Sequence, residues 1–192
     1  MMPNVFKIAP ALAVAALLVW VQFHHVLGVG DHLAAASPSF TLTDHHGRTV
    51  TEADFRGKYL LIYFGYTYCP DVCPTTLQTI TDAMAMMGDA ASPLVPILIT
   101  IDPERDSVGV LADYVAVFDS RFMGLTGSVE QIAAAARPFR VYYGKSGDGP
   151  GYTMDHSAST YLLGPDGSWL ETFPHGIQAK ELAAALASRI SR

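Results

Sequence analysis

The segment Lys58-Tyr59-Leu60-Leu61-Ile62-Tyr63-Phe64 constrains this chain more than any other stretch of it. It is a near-continuous apolar run, rich in aromatic and branched residues, as a strand buried on both faces requires. It is therefore the candidate central strand. The run leads into Gly65-Tyr66-Thr67-Tyr68-Cys69-Pro70-Asp71-Val72-Cys73-Pro74-Thr75-Thr76-Leu77, which holds both cysteines of the chain. From Pro74 to Met87 the residues Leu77, Ile80, Met84 and Met87 recur at three- and four-residue steps, one face of a helix. Proline is tolerated in a helix only in the first turn, so the helix is expected to begin at Cys73 or Pro74, with Cys69 on the loop before it.

The rest of the chain alternates in the same way. A second buried strand is expected at Leu94 to Ile101, a helix at Val108 to Phe118, a short strand at Phe122 to Leu125 and a helix at Val129 to Ala136. Beyond Pro138, strands are expected at Arg140 to Tyr143, Ser159 to Leu163 and Ser168 to Phe173, the last two joined by the turn Gly164-Pro165-Asp166-Gly167. Gly144 to Gly151 reads as a loop or hairpin tip, and Lys180 to Ile190 as a closing helix. Ahead of the central strand, Ser39 to Leu42 and Arg48 to Val50 flank Asp44-His45-His46-Gly47 in the pattern of an N-terminal β-hairpin. The expectation is an α/β fold with a mixed sheet covered by helices on both faces.

Composition supports one domain. The 192 residues are 50% hydrophobic and 16% charged, enough for a single core and too apolar for disorder. The net charge of −6 removes the clustered cations that nucleic-acid binding needs. Near the N-terminus, Ile8 to Val21 is an uncharged apolar run preceded by Lys7. Alone it has the length of a signal-peptide core; extended through Leu27 it reaches the roughly 20 residues that span a bilayer. Ala34-Ala35-Ala36 offers small residues for cleavage but lies far from the apolar core. An uncleaved anchor over residues 1–36 is therefore expected, with a cleaved signal peptide and a free periplasmic domain as the alternative; either way the folded domain at 37–192 lies on the far side of the membrane from Lys7. The absence of Arg from the first 47 residues favours a bacterial inner membrane with a periplasmic domain over organellar import.

Cys69 and Cys73 are too few and too close to staple a fold, so their role is chemical or metal-binding. Near a helix N-terminus, partial positive charge and free N–H groups stabilise thiolates, favouring attack on disulfides and affinity for a soft metal. Two thiolates suit Cu(I), whereas structural zinc asks for four closed ligands and the chain has no second cysteine pair. A third ligand would be histidine, and His45, His46, His156 and His175 are the candidates. His156 precedes an expected strand, with the soft donor Met154 two residues away on the same face of an extended segment.

Taken together, Tyr63 to Leu77 with its CPDVCP core, Asp102-Pro103-Glu104-Arg105-Asp106 and Asp155-His156-Ser157 resemble, in order, the Sco/SenC family of copper-binding assembly proteins. The resemblance covers about residues 38 to 190. It implies a thioredoxin-like fold, tethered to a membrane, with one copper ion held as Cu(I) or Cu(II) by Cys69, Cys73 and His156. Asp102 and Asp106 match acidic positions near the family's site, and Asp71 lies between the cysteines. Tyr66 and Tyr68 are expected to wall the site, and Arg105 to face solvent or a salt-bridge partner.

The family is associated with assembly of the dinuclear copper centre in subunit II of cytochrome c oxidase. A copper chaperone would present the metal on displaceable soft ligands; a thiol-disulfide oxidoreductase would use the same sulfurs to reduce the cysteines of that centre. Subunit II or another copper protein, further periplasmic copper chaperones and a thioredoxin-like reductant are the implied partners. The CxxxC spacing, with no proline between Gly151 and Gly164, departs from thioredoxin-type reductases and favours metal binding over enzymatic reduction. Thr67, two residues before Cys69, leaves a thiol peroxidase as a third reading.

Overall fold

The structure is a computed structural model that describes residues 38–190. The expected anchor over residues 1–36 lies outside the described residues.

Nine strands and four helices follow one another in the described chain: β1 (Thr41–Asp44), β2 (Thr49–Thr51), β3 (Tyr59–Gly65), α1 (Val72–Met87), β4 (Leu94–Thr100), α2 (Val108–Val115), β5 (Met123–Thr126), α3 (Val129–Ala136), β6 (Tyr143–Ser146), β7 (Thr153–His156), β8 (Thr160–Leu163), β9 (Trp169–Phe173) and α4 (Ala179–Ile190). Seven strands form one sheet in the order β2-β1-β5-β4-β3-β8-β9, and β6 pairs with β7 in a separate ribbon. The pairs β3–β4 and β4–β5 are parallel; β8 runs antiparallel to β3 and β1 antiparallel to β5. The expected mixed α/β architecture is the observed one.

β3 occupies the interior of this sheet, and from Leu60 to Phe64 every side chain is buried. Each such burial contributes about 1.5–3 kcal/mol, so this strand is a principal source of core stability. The amphipathic stripe of α1 buries Leu77, Ile80 and Met84, and α1 packs along α4. α2 begins at Ser107, whose hydroxyl accepts from the Val110 N–H, and packs over β5. α3 begins in the same way at Ser128, which forms a reciprocal cap with Gln131. Among the described residues no helix is long and apolar enough to cross a membrane.

Several boundaries differ from expectation: β1 begins at Thr41 and takes in Asp44, which was expected in the turn. α1 begins at Val72, so Cys73 already lies in its first turn. α2 ends at Val115, and the chain continues to Phe118 in tight turns. The strand expected at Arg140 to Tyr143 lies instead at Tyr143–Ser146. Arg140 has a φ of 54°, and it is tied back to Arg137, as Val141 is to Ala136, so the chain after α3 must turn before it can extend. The extended segment that carries Met154 and His156 is itself a strand, Thr153–His156.

The topology fixes where ligands can meet. β3 and β4 are parallel, so the cysteine loop and the loop Asp102–Asp106 leave the sheet at the same end. β8 pairs with β3 in the register Tyr63↔Thr160, which brings the start of β8 to the end of β3. His156, just ahead of β8, is delivered to the edge from which Cys69 and Cys73 emerge. Carboxyl ends of parallel strands are the usual place for a site in sheets of this kind.

Candidate metal centre

Cys69 sits half-buried on the loop after β3, and Cys73 is fully buried in the first turn of α1. His156 ends β7. The two sulfurs and one ring nitrogen of these residues all lie within 4.8 Å of one another. Cys73 Sγ stands 3.6 Å from His156 Nε2. The other ring nitrogen, Nδ1, is 3.0 Å from the carbonyl oxygen of Ser157. That oxygen can only accept, so Nδ1 carries the proton and Nε2 turns its lone pair toward the sulfurs. An imidazole fixed this way by a backbone carbonyl is the usual form of a histidine metal ligand.

The space beside Cys73 exists because residue 65 is glycine. A Cβ there would come 2.7 Å from Cε1 of Tyr63 and 2.9 Å from Cys73 Sγ. Tyr63, buried in β3, donates its hydroxyl to Cys73 Sγ at 3.5 Å. The rings of Tyr63 and Tyr66 meet His156 edge-on, with centroids 6.1 and 6.0 Å away. Tyr66 walls the site as expected. Tyr68 does not: it is 61% exposed and covers Arg105 instead.

The two thiols have opposite acidities. Cys69 is lowered to about 5, first because the Cys73 side chain hydrogen-bonds to it, against the cost of burial, and further by the N–H groups of Asp71 and Cys73 and the nearby His156. Its sulfur accepts the Cys73 N–H at 3.3 Å, a contact made possible by the helix start. Cys73 is pushed well above the ordinary thiol range because it gives its hydrogen bond to Cys69 and is buried. The expectation that the helix start acidifies both sulfurs is thus corrected. One proton leaves easily from the pair, and it leaves Cys69.

Asp102 and Asp106 contact the segments around the two sulfurs and His156 rather than those three side chains. Asp106 is buried, and its carboxylate accepts from the Thr67 N–H at 3.1 Å, the Thr67 hydroxyl at 2.6 Å and the Thr100 hydroxyl at 2.6 Å. It anchors the cysteine loop to the end of β4. Burial raises its pKa despite these hydrogen bonds. Thr67 is committed to this contact, which leaves no support for a peroxidase role at Cys69. Asp102 is also buried; it pairs with Arg105 and accepts the Tyr152 hydroxyl at 2.6 Å. Arg105 is not a solvent-facing cation, since Tyr152 and Tyr68 lie over its guanidinium.

Of the four candidate histidines, the structure brings only His156 to the sulfurs. His45 and His46 lie in the β1–β2 turn, where His45 Nδ1 accepts the Gly124 N–H at 3.1 Å. His175 lies on the rim of the cavity that opens over the site, of about 340 Å³. Tyr66, Cys69, Asp71, Met154 and His156 line that cavity with it. Asp71, exposed at the start of α1, makes no side-chain cap to the helix. Met154 is buried and shares the inward face of β7 with His156. The sequence does not foreshadow the contacts of Tyr63, Tyr152 and Arg105: Tyr63 and Arg105 stand in the segments quoted above without these partners, and no local pattern marks Tyr152.

The donors present, two sulfurs and one imidazole nitrogen in a partly buried, aromatic-walled cleft, fit a soft metal ion of low coordination number. The SCO1/SenC family profile matches residues 30–191. The mitochondrial SCO2 homolog of Bos taurus is 42% identical over 153 residues, covering 78% of this chain and 58% of its own length. This chain therefore spans less than two thirds of that relative. Among solved structures, ScoI of Bradyrhizobium japonicum with copper bound is 41% identical, with a TM-score of 0.72 over 78% of this chain and 96% of its own. ScoI of Arabidopsis thaliana with copper bound is 35% identical, with a TM-score of 0.76 over 80% of this chain and 96% of its own.

Proposed function

This chain belongs to the SCO1/SenC family, with a thioredoxin-like α/β fold, and from that premise we propose that it is a copper chaperone. Cys69, Cys73 and His156 hold one copper ion as cargo for the dinuclear copper centre of cytochrome c oxidase subunit II. The observation that carries the reading is the meeting of three soft or borderline donors within 4.8 Å, with Nε2 of His156 freed for a ligand by the bond from Nδ1 to Ser157. Such a set suits Cu(I) and leaves sulfur ligands that an incoming thiolate can displace. The copper-bound relatives point the same way. Residues 37–192 form the copper-binding domain, held in the periplasm by residues 1–36 at a bacterial inner membrane.

The test is titration of the pre-reduced full chain with Cu(I) and Cu(II), beside Cys69→Ala, Cys73→Ala and His156→Ala. One-to-one binding that is weakened in all three variants is the expected result. Binding indifferent to His156 overturns the three-ligand site.

A second reading, reduction of the cysteines that receive the copper, is favoured by the acidity of Cys69, about 5. As a thiolate it attacks a target disulfide, one target sulfur leaves as thiolate, and Cys73 then resolves the mixed disulfide. The products are a Cys69–Cys73 disulfide and a target dithiol, and a thioredoxin-like reductant must return two electrons. Copper-free chain that fails to reduce such a disulfide rules this reading out.

A further inference from the structure

The ribbon that carries His156 is bound to the body without sheet hydrogen bonds: β7 pairs only with β6. Lys145, opposite Met154 in the ribbon, pairs with Glu104, but both side chains are about half exposed, and such pairs hold weakly. The fastening at Arg105 is different. Arg105, on the loop after β4, places its guanidinium carbon 3.6 Å from the ring centroid of Tyr152 and 4.6 Å from that of Tyr68. Its Nη1 donates to the Tyr152 carbonyl at 2.9 Å, and its Nε donates to Asp102. Asp102 in turn accepts the Tyr152 hydroxyl, which closes a ring of contacts around the turn end of the ribbon. Tyr152 leads directly into β7, and Tyr68 directly precedes Cys69. One flat cation thus touches the segment that carries the histidine and the segment that carries the first cysteine. Its Nη2 is buried without a hydrogen-bond partner. A cation placed only for charge would turn that nitrogen to water; here the stacked plane takes precedence.

We propose that Arg105 is a positioning residue for the copper centre: it clamps the β6–β7 ribbon against the cysteine loop and so sets where His156 stands relative to Cys73. The inference rests on the reading of Cys69, Cys73 and His156 as copper ligands. Without the clamp the ribbon draws away, the imidazole leaves, and the ion is held by two sulfurs. Lysine cannot substitute, because it has no flat face to stack and cannot serve Asp102 and the Tyr152 carbonyl together.

The experiment is a double-mutant cycle on the full chain: wild type, Arg105→Met, His156→Ala and the double variant. Cu(I) affinity is read by competition with a chromophoric Cu(I) chelator. Arg105→Met should weaken binding roughly 10- to 100-fold when His156 is present, the range seen for residues that orient a ligand. It should change binding by less than about twofold once His156 is alanine, since the residue then has no ligand to position. Arg105→Lys should behave like Arg105→Met. A second readout needs no metal: in the copper-free variant, amide exchange should accelerate in Thr153–His156 while β3 and β4 keep their protection. Should Arg105→Met fail to fold, Tyr152→Phe removes only the hydroxyl on Asp102 and should shift both readouts in the same direction by a smaller factor. Equal losses in both backgrounds, or exchange that accelerates throughout the main sheet, overturn the proposal. Unchanged affinity in His156→Ala alone, read without touching Arg105, overturns the ligand assignment and this inference with it.

Discussion

Asp106 and Thr67, on loops that leave two different strands, are joined twice: the carboxylate takes both the backbone N–H and the hydroxyl of the threonine. The pair ties the cysteine loop to the end of β4. Its removal leaves the partly buried Thr67 N–H and the buried Thr100 hydroxyl without their acceptor. Asp106→Ala should therefore lower stability by about 2–4 kcal/mol in urea unfolding, more than a single neutral hydrogen bond is worth. Asp106→Asn keeps an acceptor oxygen and should cost less.

The same residue has a pH signature. Burial raises the folded pKa of Asp106 above the ordinary aspartate value, so its charged form is disfavoured in the native state. The stability of wild type relative to Asp106→Asn should be greatest below the unfolded pKa, fall as pH rises through the folded pKa, and stay level above it. Paired urea curves across that acid range would show this; a difference that grew with pH would contradict it.

Alkylation should separate the two cysteines. Cys69, lowered to about 5, should react with iodoacetamide at a rate that rises through that pH and is level by neutrality, whereas buried Cys73 should stay unmodified in the native chain. In Cys73→Ala, which removes the largest cause of the lowering, the midpoint for Cys69 should move up toward the ordinary thiol value of about 8.5. Mass spectrometry of quenched samples reads both effects.

Two glycine substitutions should act in opposite directions. Gly65→Ala puts a methyl 2.9 Å from Cys73 Sγ and should cost about 1–3 kcal/mol by overpacking, with loss of copper binding. Gly109→Ala, in α2 with open space around it, should raise stability by about 0.5 kcal/mol and leave copper binding alone. Thermal melts and Cu(I) titration of the two variants make the comparison.

The cysteine junction was legible because its signals are local: an unbroken apolar strand, then Pro74 fixing the first turn of a helix. The ribbon was not. Tyr143–Ser146 and Thr153–His156 are short, largely polar and paired with each other alone, so neither carries the apolar periodicity that marks a strand in the main sheet. Of the two expectations for Arg105, solvent or a salt-bridge partner, the second is met at Asp102, but its stacking is hidden from the sequence, since Tyr152 lies 47 residues away and only the return of the chain past β4 brings them together. The split in acidity between Cys69 and Cys73 was equally hidden. A helix start favours both thiolates, and it is the hydrogen bond from Cys73 to Cys69, together with the burial of Cys73, that sets them apart.

The sheet order has a consequence for how such a molecule behaves in company. Its two outer strands are β2, three residues long, and β9, whose pairing with β8 slips register between Leu162 and Leu163. A short edge and an irregular one are poor templates for another chain's backbone. Encounters between copies thus find little to zip onto along the main sheet, because neither edge offers a long, regular row of free backbone groups.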